Sequence, residues 1–412
     1  MRKINLLIAL VLMGTVYGQK DITVESLYKT YQFFPKSVNG FNGMKDGQHF
    51  TQVSTTGEGL SITKHKITAY SESGEIILNL SDLKLDGEQL DVQDYSFNDD
   101  ETKLLLLTDM QSIYRHSYSA YFYVYDLKTK SIERLDHSDS PQTLATFSPD
   151  GKQVAYIRDN DLFIKDLAAN KITQVTSDGK KNEIINGTTD WVYEEEFAIT
   201  KAFGWSPDSK HLAYLRFDES AVREFTMEYN VGALYPELYT FKYPKAGEDN
   251  SKVTAHIYSL TNQSTAHVKL NEYEYIPRIS WSNVNNTLVL QTMNRHQSQV
   301  VYTKVELKGT EWVANAFYTE NSKTYIDIDD NLIFLNDGVS ILRTSEKNGY
   351  KHIYKIGFDG SEFQLTKGTW DVIDFCGIDE SNKFVYYTAA KKGAIHKGIY
   401  KIDLKGKKDV AI

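Results

Sequence analysis

Short apolar runs recur along this chain, each introduced by an aromatic residue and a polar turn. Phe147-Ser148-Pro149-Asp150-Gly151-Lys152 precedes Val154-Ala155-Tyr156-Ile157, and Trp205-Ser206-Pro207-Asp208-Ser209-Lys210 precedes Leu212-Ala213-Tyr214-Leu215. Phe97-Asn98-Asp99-Asp100 leads into Leu104-Leu105-Leu106-Leu107, and Trp281-Ser282-Asn283 leads into Leu288-Val289-Leu290. This is the form of a tight turn entering a buried strand. A second element follows each run, as in Tyr123-Val124-Tyr125-Asp126-Leu127, Leu162-Phe163-Ile164-Lys165-Asp166-Leu167, Ile257-Tyr258-Ser259-Leu260 and Val301-Tyr302-Thr303-Lys304-Val305. Ile353-Tyr354-Lys355-Ile356 and Ile399-Tyr400-Lys401-Ile402 extend the series. These segments alternate partly by twos and are rich in aromatic and branched residues, as strands are.

The aromatic turn residues stand at 97, 147, 205 and 281, in steps of 50, 58 and 76. A four-stranded propeller blade repeats at about 40 to 50 residues, so the two longer steps leave room for insertions. The pattern predicts an all-β fold, a β-propeller of four-stranded blades, with about six units between residues 45 and 410. An array of hairpins in a sandwich is the competing architecture. Asn182 to Phe197 lacks strand alternation, and a turn with a short helix from about Thr189 to Ala198 is expected there. We read 182–200 as an insertion projecting from a blade, 19–44 as a lead-in, and 45–412 as an incomplete propeller. The chain stops just after a strand, at Lys408-Asp409-Val410-Ala411-Ile412, which leads us to expect a truncated sequence, because an open propeller exposes strand edges.

Composition supports the β reading, with 28 tyrosines and 19 phenylalanines against only 7 prolines and 25 glycines. Met1-Arg2-Lys3 followed by the apolar run Ile4 to Met13 reads as a signal peptide over 1–18, with cleavage near Gly18 and Gln19 as the new terminus. An uncleaved membrane anchor is the alternative. Loss of Arg2 and Lys3 would take the net charge from −9 to −11. Such a surface favours solubility and gives no support for nucleic-acid binding, which needs a basic patch. Cys376 is the single cysteine, so no intrachain disulfide can form, and its apolar setting predicts a buried structural thiol. An exported chain without disulfides fits a periplasm, or secretion.

The densest chemistry lies in Asp190-Trp191-Val192-Tyr193-Glu194-Glu195-Glu196-Phe197. Adjacent carboxylates repel and are almost never buried unpaired, and most acidic runs are solvated faces. Here Trp191, Tyr193 and Phe197 should hold the backbone against a core. Carboxylates fixed in that way suit the capture of a cation such as a free amino terminus. Catalytic motifs are missing. No Gly-x-Ser-x-Gly elbow is present, and the near match Gly204-Trp205-Ser206-Pro207-Asp208 belongs to the repeated turn. His-Glu-x-x-His and phosphate-cradling glycine loops are absent as well, so neither metal nor cofactor is expected.

Asp-Trp-Val-Tyr-Glu-Glu-Glu resembles the substrate-anchoring motif of the dipeptidyl peptidase IV family, the proline-specific serine exopeptidases. Two further matches support the likeness: Tyr114-Arg115-His116-Ser117-Tyr118-Ser119-Ala120 and Tyr243-Pro244-Lys245-Ala246-Gly247. The resemblance implies that Glu195 and Glu196 bind the peptide's N-terminal ammonium and that Arg115 positions the substrate backbone. It leaves Glu194 to point away and pair locally, Trp191 and Tyr193 to pack, and His116 to hydrogen-bond in a strand or loop. Ile199 stands where relatives carry Ser or Thr, and Phe317 is the nearest candidate for their pocket phenylalanine. The family's propeller has eight blades and is followed by an α/β-hydrolase domain, which is absent from these 412 residues. The implied function is the recognition propeller of an exported dipeptidyl aminopeptidase that releases Xaa-Pro or Xaa-Ala. Its partners would be peptides with a free N-terminus and a downstream hydrolase domain, and a homodimer is plausible by likeness. The alternatives are a stand-alone peptide-binding propeller and a scaffolding propeller in which the glutamates are incidental.

Overall fold

A computed structural model describes residues 21–34, 40–57, 59–69, 74–282, 286–379, 381 and 383–412. The leader expected over 1–18 lies outside them. Two compact units are present, one up to Leu80 and one from Ser81 onward. The first contains a short helix, Val24–Tyr28, whose N-cap Thr23 and Ser26 form a reciprocal capping box. It also holds a four-stranded antiparallel sheet spanning 42–79.

The second unit is a succession of antiparallel sheets over 94–134, 143–174, 184–267, 275–321, 333–364 and 372–411. All but the third are simple four-stranded meanders. Each sheet packs on the next through alternate residues of its inner strands. In Gln153–Arg158, Val154 and Tyr156 join a cluster with Leu105, Leu107 and Phe122 of the preceding sheet. Ala155 and Ile157 instead meet Phe203, Trp205 and Leu212 of the following one. Leu288 and Leu290 face backward in the same way while Val289 faces forward. A strand buried on both faces reads as a continuous apolar run, which explains the unbroken runs in the sequence. Meanders stacked face on face are the blade arrangement of a β-propeller.

The repeated turn has one hydrogen-bond design. Ser148 Oγ donates to Asp150 Oδ1 (2.6 Å) and accepts from the Gln153 amide (3.0 Å). Ser206 Oγ does the same with Asp208 (2.7 Å) and the His211 amide (2.9 Å). In the earlier copy Asn98 takes the serine's place, bonding Asp100 and the Lys103 amide. The fourth turn residue has positive φ in all three: Glu101 (57°), Gly151 (66°) and Ser209 (59°). Glu101 and Ser209 show that this φ does not by itself demand glycine, but at Gly151 a Cβ would lie 2.7 Å from Asn98 Nδ2, so a side chain there would have to displace Asn98. Ser206 is fully buried and its hydroxyl is committed to this turn.

Two expectations are corrected. Cys376 is exposed rather than buried. Its strand, Val372–Asp379, slips register between Phe375 and Gly377, which breaks the inward–outward alternation. The segment from Asn182 is not devoid of strand either. Ile184–Asn186 pairs with the end of His211–Asp218, stitching the base of the insertion into the third sheet.

Candidate functional site

Two pieces of backbone build the site, both in the second unit. One is the tip of the long hairpin formed by Lys103–Ser112 and Tyr118–Asp126. The other is the helix Trp191–Phe197, inserted in the third sheet. Asp190 caps this helix, its Oδ1 accepting from the Tyr193 amide at 2.9 Å. Its Oδ2 accepts from Ser251 Oγ, tying the cap to the sheet. Burial nonetheless pushes the Asp190 carboxyl above the usual carboxylate range. Ala198 ends the helix in the left-handed region (φ 50°), and two bonds bracket its ends: Thr189 Oγ1 to the Ile199 carbonyl (2.8 Å) and Thr188 Oγ1 to the Thr200 carbonyl (3.0 Å).

Helical geometry then distributes the three glutamates. Tyr193 and Phe197, four residues apart, share the face turned into the core, and the Tyr193 hydroxyl accepts from the Ile276 amide at 2.9 Å. At about 100° per residue, Glu195 falls opposite that face while Glu194 and Glu196 flank it on either side. Trp191 packs against Tyr243, with ring centroids 4.4 Å apart. The Tyr243 match therefore supports the helix from the side.

Glu194 corrects its expected role. It is 1% exposed, and Oε1 accepts from the amides of His116 (2.7 Å) and Ser117 (2.9 Å), nearly eighty residues away. This latch fixes the hairpin tip on the helix, and so fixes Arg115 as well. A carboxylate accepting two amides is a charge-assisted contact, stronger than a neutral one. Arg115 Nε lies 2.9 and 3.3 Å from the two Glu195 oxygens. The arginine side chain is 70% exposed and that of Glu195 only 17%. Glu196 is exposed and has no hydrogen bond among the described residues. An open guanidinium thus stands over one held carboxylate, with a second carboxylate free beside it.

The other sequence candidates lie apart from this group. Phe317 is buried against Tyr302 and Phe358 in the core between the fourth and fifth sheets. Ile199 packs on the core behind the helix. Just beyond the helix stands a feature that no motif announced, Lys201, with its ammonium 5.1 Å from the Phe203 ring centroid and its pKa lowered to about 8 by burial. Among the described residues no cluster of His, Cys, Asp or Glu could hold a metal ion, and no helix is long and apolar enough to cross a membrane.

Comparison with known proteins places these residues in a family context. Residues 98–412 match the model of the dipeptidyl peptidase IV N-terminal region. A probable dipeptidyl-aminopeptidase B of Fusarium vanettenii is 33% identical over 78% of this chain and 38% of its own length. Dipeptidyl-aminopeptidase B of Aspergillus niger is 29% identical over 95% of this chain and 48% of its own. The crystal structure of Porphyromonas gingivalis dipeptidyl peptidase 4 superposes with a TM-score of 0.86 at 35% identity, covering 96% of this chain and 56% of that one. A putative dipeptidyl aminopeptidase IV from Bacteroides ovatus, 21% identical with a TM-score of 0.69, shares the fold. The chain spans about half the length, or less, of the curated relatives it matches.

Proposed function

Because the chain belongs to the dipeptidyl peptidase IV family through its N-terminal region, we propose that it is the substrate-recognition part of an exported dipeptidyl aminopeptidase. Glu195 and Glu196 share the three donors of a peptide's terminal ammonium. Arg115 holds Glu195 in place and offers its remaining N–H groups to the substrate carbonyl. Two carboxylates at a fixed height act as a ruler: only the second peptide bond reaches a nucleophile supplied by the hydrolase portion of such enzymes. This region contributes positioning to the rate rather than bond chemistry. Cleavage after Xaa-Pro or Xaa-Ala and export to the periplasm, or secretion, complete the proposal.

The observation that carries it is the Arg115–Glu195 pair beside a Glu196 that has no partner among the described residues. Calorimetry with an Xaa-Pro peptide tests it. A free N-terminus should bind, N-acetylation should remove binding, and Glu195→Ala with Glu196→Ala should do the same while the chain stays folded. Equal binding of free and acetylated peptides would overturn the anchoring role.

A further inference from the structure

Behind the latched hairpin tip lies a cavity of about 550 Å³ whose wall includes neither Glu195 nor Glu196. Tyr114 lines it from the hairpin, Tyr239 and Phe241 from the strand Glu237–Lys242, Thr143 from the second sheet, and Glu219 from just beyond His211–Asp218. Two of its polar groups are unspent. Glu219 is 5% exposed, and its carboxylate has no hydrogen bond or ion pair among the described residues. The buried Thr143 hydroxyl likewise has no partner.

A carboxylate so placed costs free energy unless a cation meets it. Burial, the major cause, and then the charge of Asp190 raise the Glu219 pKa to about 7, opposed by Lys242. Lys242 lowers the Glu219 pKa without forming an ion pair with it: its ammonium donates to the Val222 carbonyl at 2.8 Å and lies 3.7 Å from Glu224. The basic residues on the cavity wall are engaged as well: Arg158 pairs with Asp136, and Lys180 with Glu183, while Lys181 is exposed. The aromatic side is continuous, with Tyr239 and Phe241 centroids 5.4 Å apart and Tyr114 and Phe241 6.1 Å apart. A buried carboxylate facing aromatic rings is the chemistry that recognises an organic ammonium ion, by charge and by cation–π attraction.

We propose that this cavity is a second ammonium site, taking a small primary amine with an apolar body, whose charge pairs with Glu219 while its body lies on Tyr114, Tyr239 and Phe241. It does not depend on Glu195 or Glu196. The test therefore uses the whole chain carrying Glu195→Ala and Glu196→Ala, titrated calorimetrically with phenethylamine at pH 8. One site should persist. Adding Glu219→Gln, which keeps the shape and removes the charge, should weaken it at least about tenfold, the worth of a charged hydrogen bond. Tyr239→Leu, on the half-buried hairpin strand, should weaken it several-fold and keeps the test decisive if the Glu219 variant does not fold. No binding to the double variant, or binding unchanged by the Glu219 and Tyr239 substitutions, would overturn the proposal. Failure of the peptide-anchoring reading would leave these outcomes untouched, since that site is already deleted.

Discussion

The sheet over 143–174 and the one after it, over 184–267, start from the same plan and end in different states. Both have the serine–aspartate turn, and they share one cluster, to which the first gives the aliphatic Ala155, Ile157, Leu162 and Ile164 and the second mainly the aromatic Phe203, Trp205, Tyr214 and Tyr258. The first is an uninterrupted meander, and its one buried lysine, although burial lowers its pKa, has oxygen partners: Lys165 Nζ donates to the Arg134 carbonyl at 2.8 Å and lies 3.8 Å from Glu133. The second is opened twice, by the helix Trp191–Phe197 and by the hairpin of the exposed strand Glu224–Tyr229 and the half-buried strand Glu237–Lys242. It contains the charges that are strained or unpaired, Asp190, Lys201 and Glu219. The contrast teaches that the regular blade is built for stability, whereas the opened one gives some up to hold carboxylates and a cavity in place.

The sharpest way to break this contrast is Glu194→Ala. It would leave the part-buried amide contacts of His116 and Ser117 unmade and release the hairpin tip, with an expected loss of about 2 kcal/mol in chemical denaturation. The free helix should then lose its grip on Arg115, so peptide binding should fall as well. A loss under about 0.5 kcal/mol would mean that the latch contributes little.

Paired lysine substitutions test the comparison more directly. Lys201→Met removes a charge that burial disfavours and should stabilise the chain by about 1 to 2 kcal/mol at neutral pH. Lys165→Met also relieves a buried charge, but it strands the Arg134 carbonyl and removes the contact with Glu133, for which Lys201 has no counterpart among the described residues, and should destabilise by about 1 kcal/mol. The sign with pH follows. With a folded pKa near 8, below the ordinary value of 10.5, Lys201 releases its proton earlier in the folded state. Its contribution to stability therefore rises as pH goes from about 8 to 10.5, and Lys201→Met should flatten that rise. Melting curves across this range check both statements.

The smallest effect should come from the shared turn. Ser148→Ala and Ser206→Ala each remove the same two hydrogen bonds and should cost about 1 kcal/mol apiece, with nearly equal values. Unequal losses would show that the insertion reaches back into the turn.

The residues that the sequence made legible are those whose role is local. Ser148, Ser206 and Asn98 announce their turns because every bonded partner lies within five residues. Tyr193 and Phe197 read as residues held against a core because they bracket the acidic run within one short segment. Alternation failed at Cys376, where a register slip turned an apolar segment outward.

Position along the chain therefore determined the β repeat, its turns and the acidic helix, and the family resemblance added Arg115 as its upstream companion. Only the tertiary structure decided which glutamate does what. Glu194, Glu195 and Glu196 are chemically alike, and successive steps of about 100° send each into a different environment. Glu194 meets two amides, Glu195 meets a guanidinium, and Glu196 meets solvent. Glu219 had no sequence signal at all, because a buried charge is recognised by the neighbours it lacks, and those are set by segments nineteen or more residues away, such as Thr200 and Tyr239.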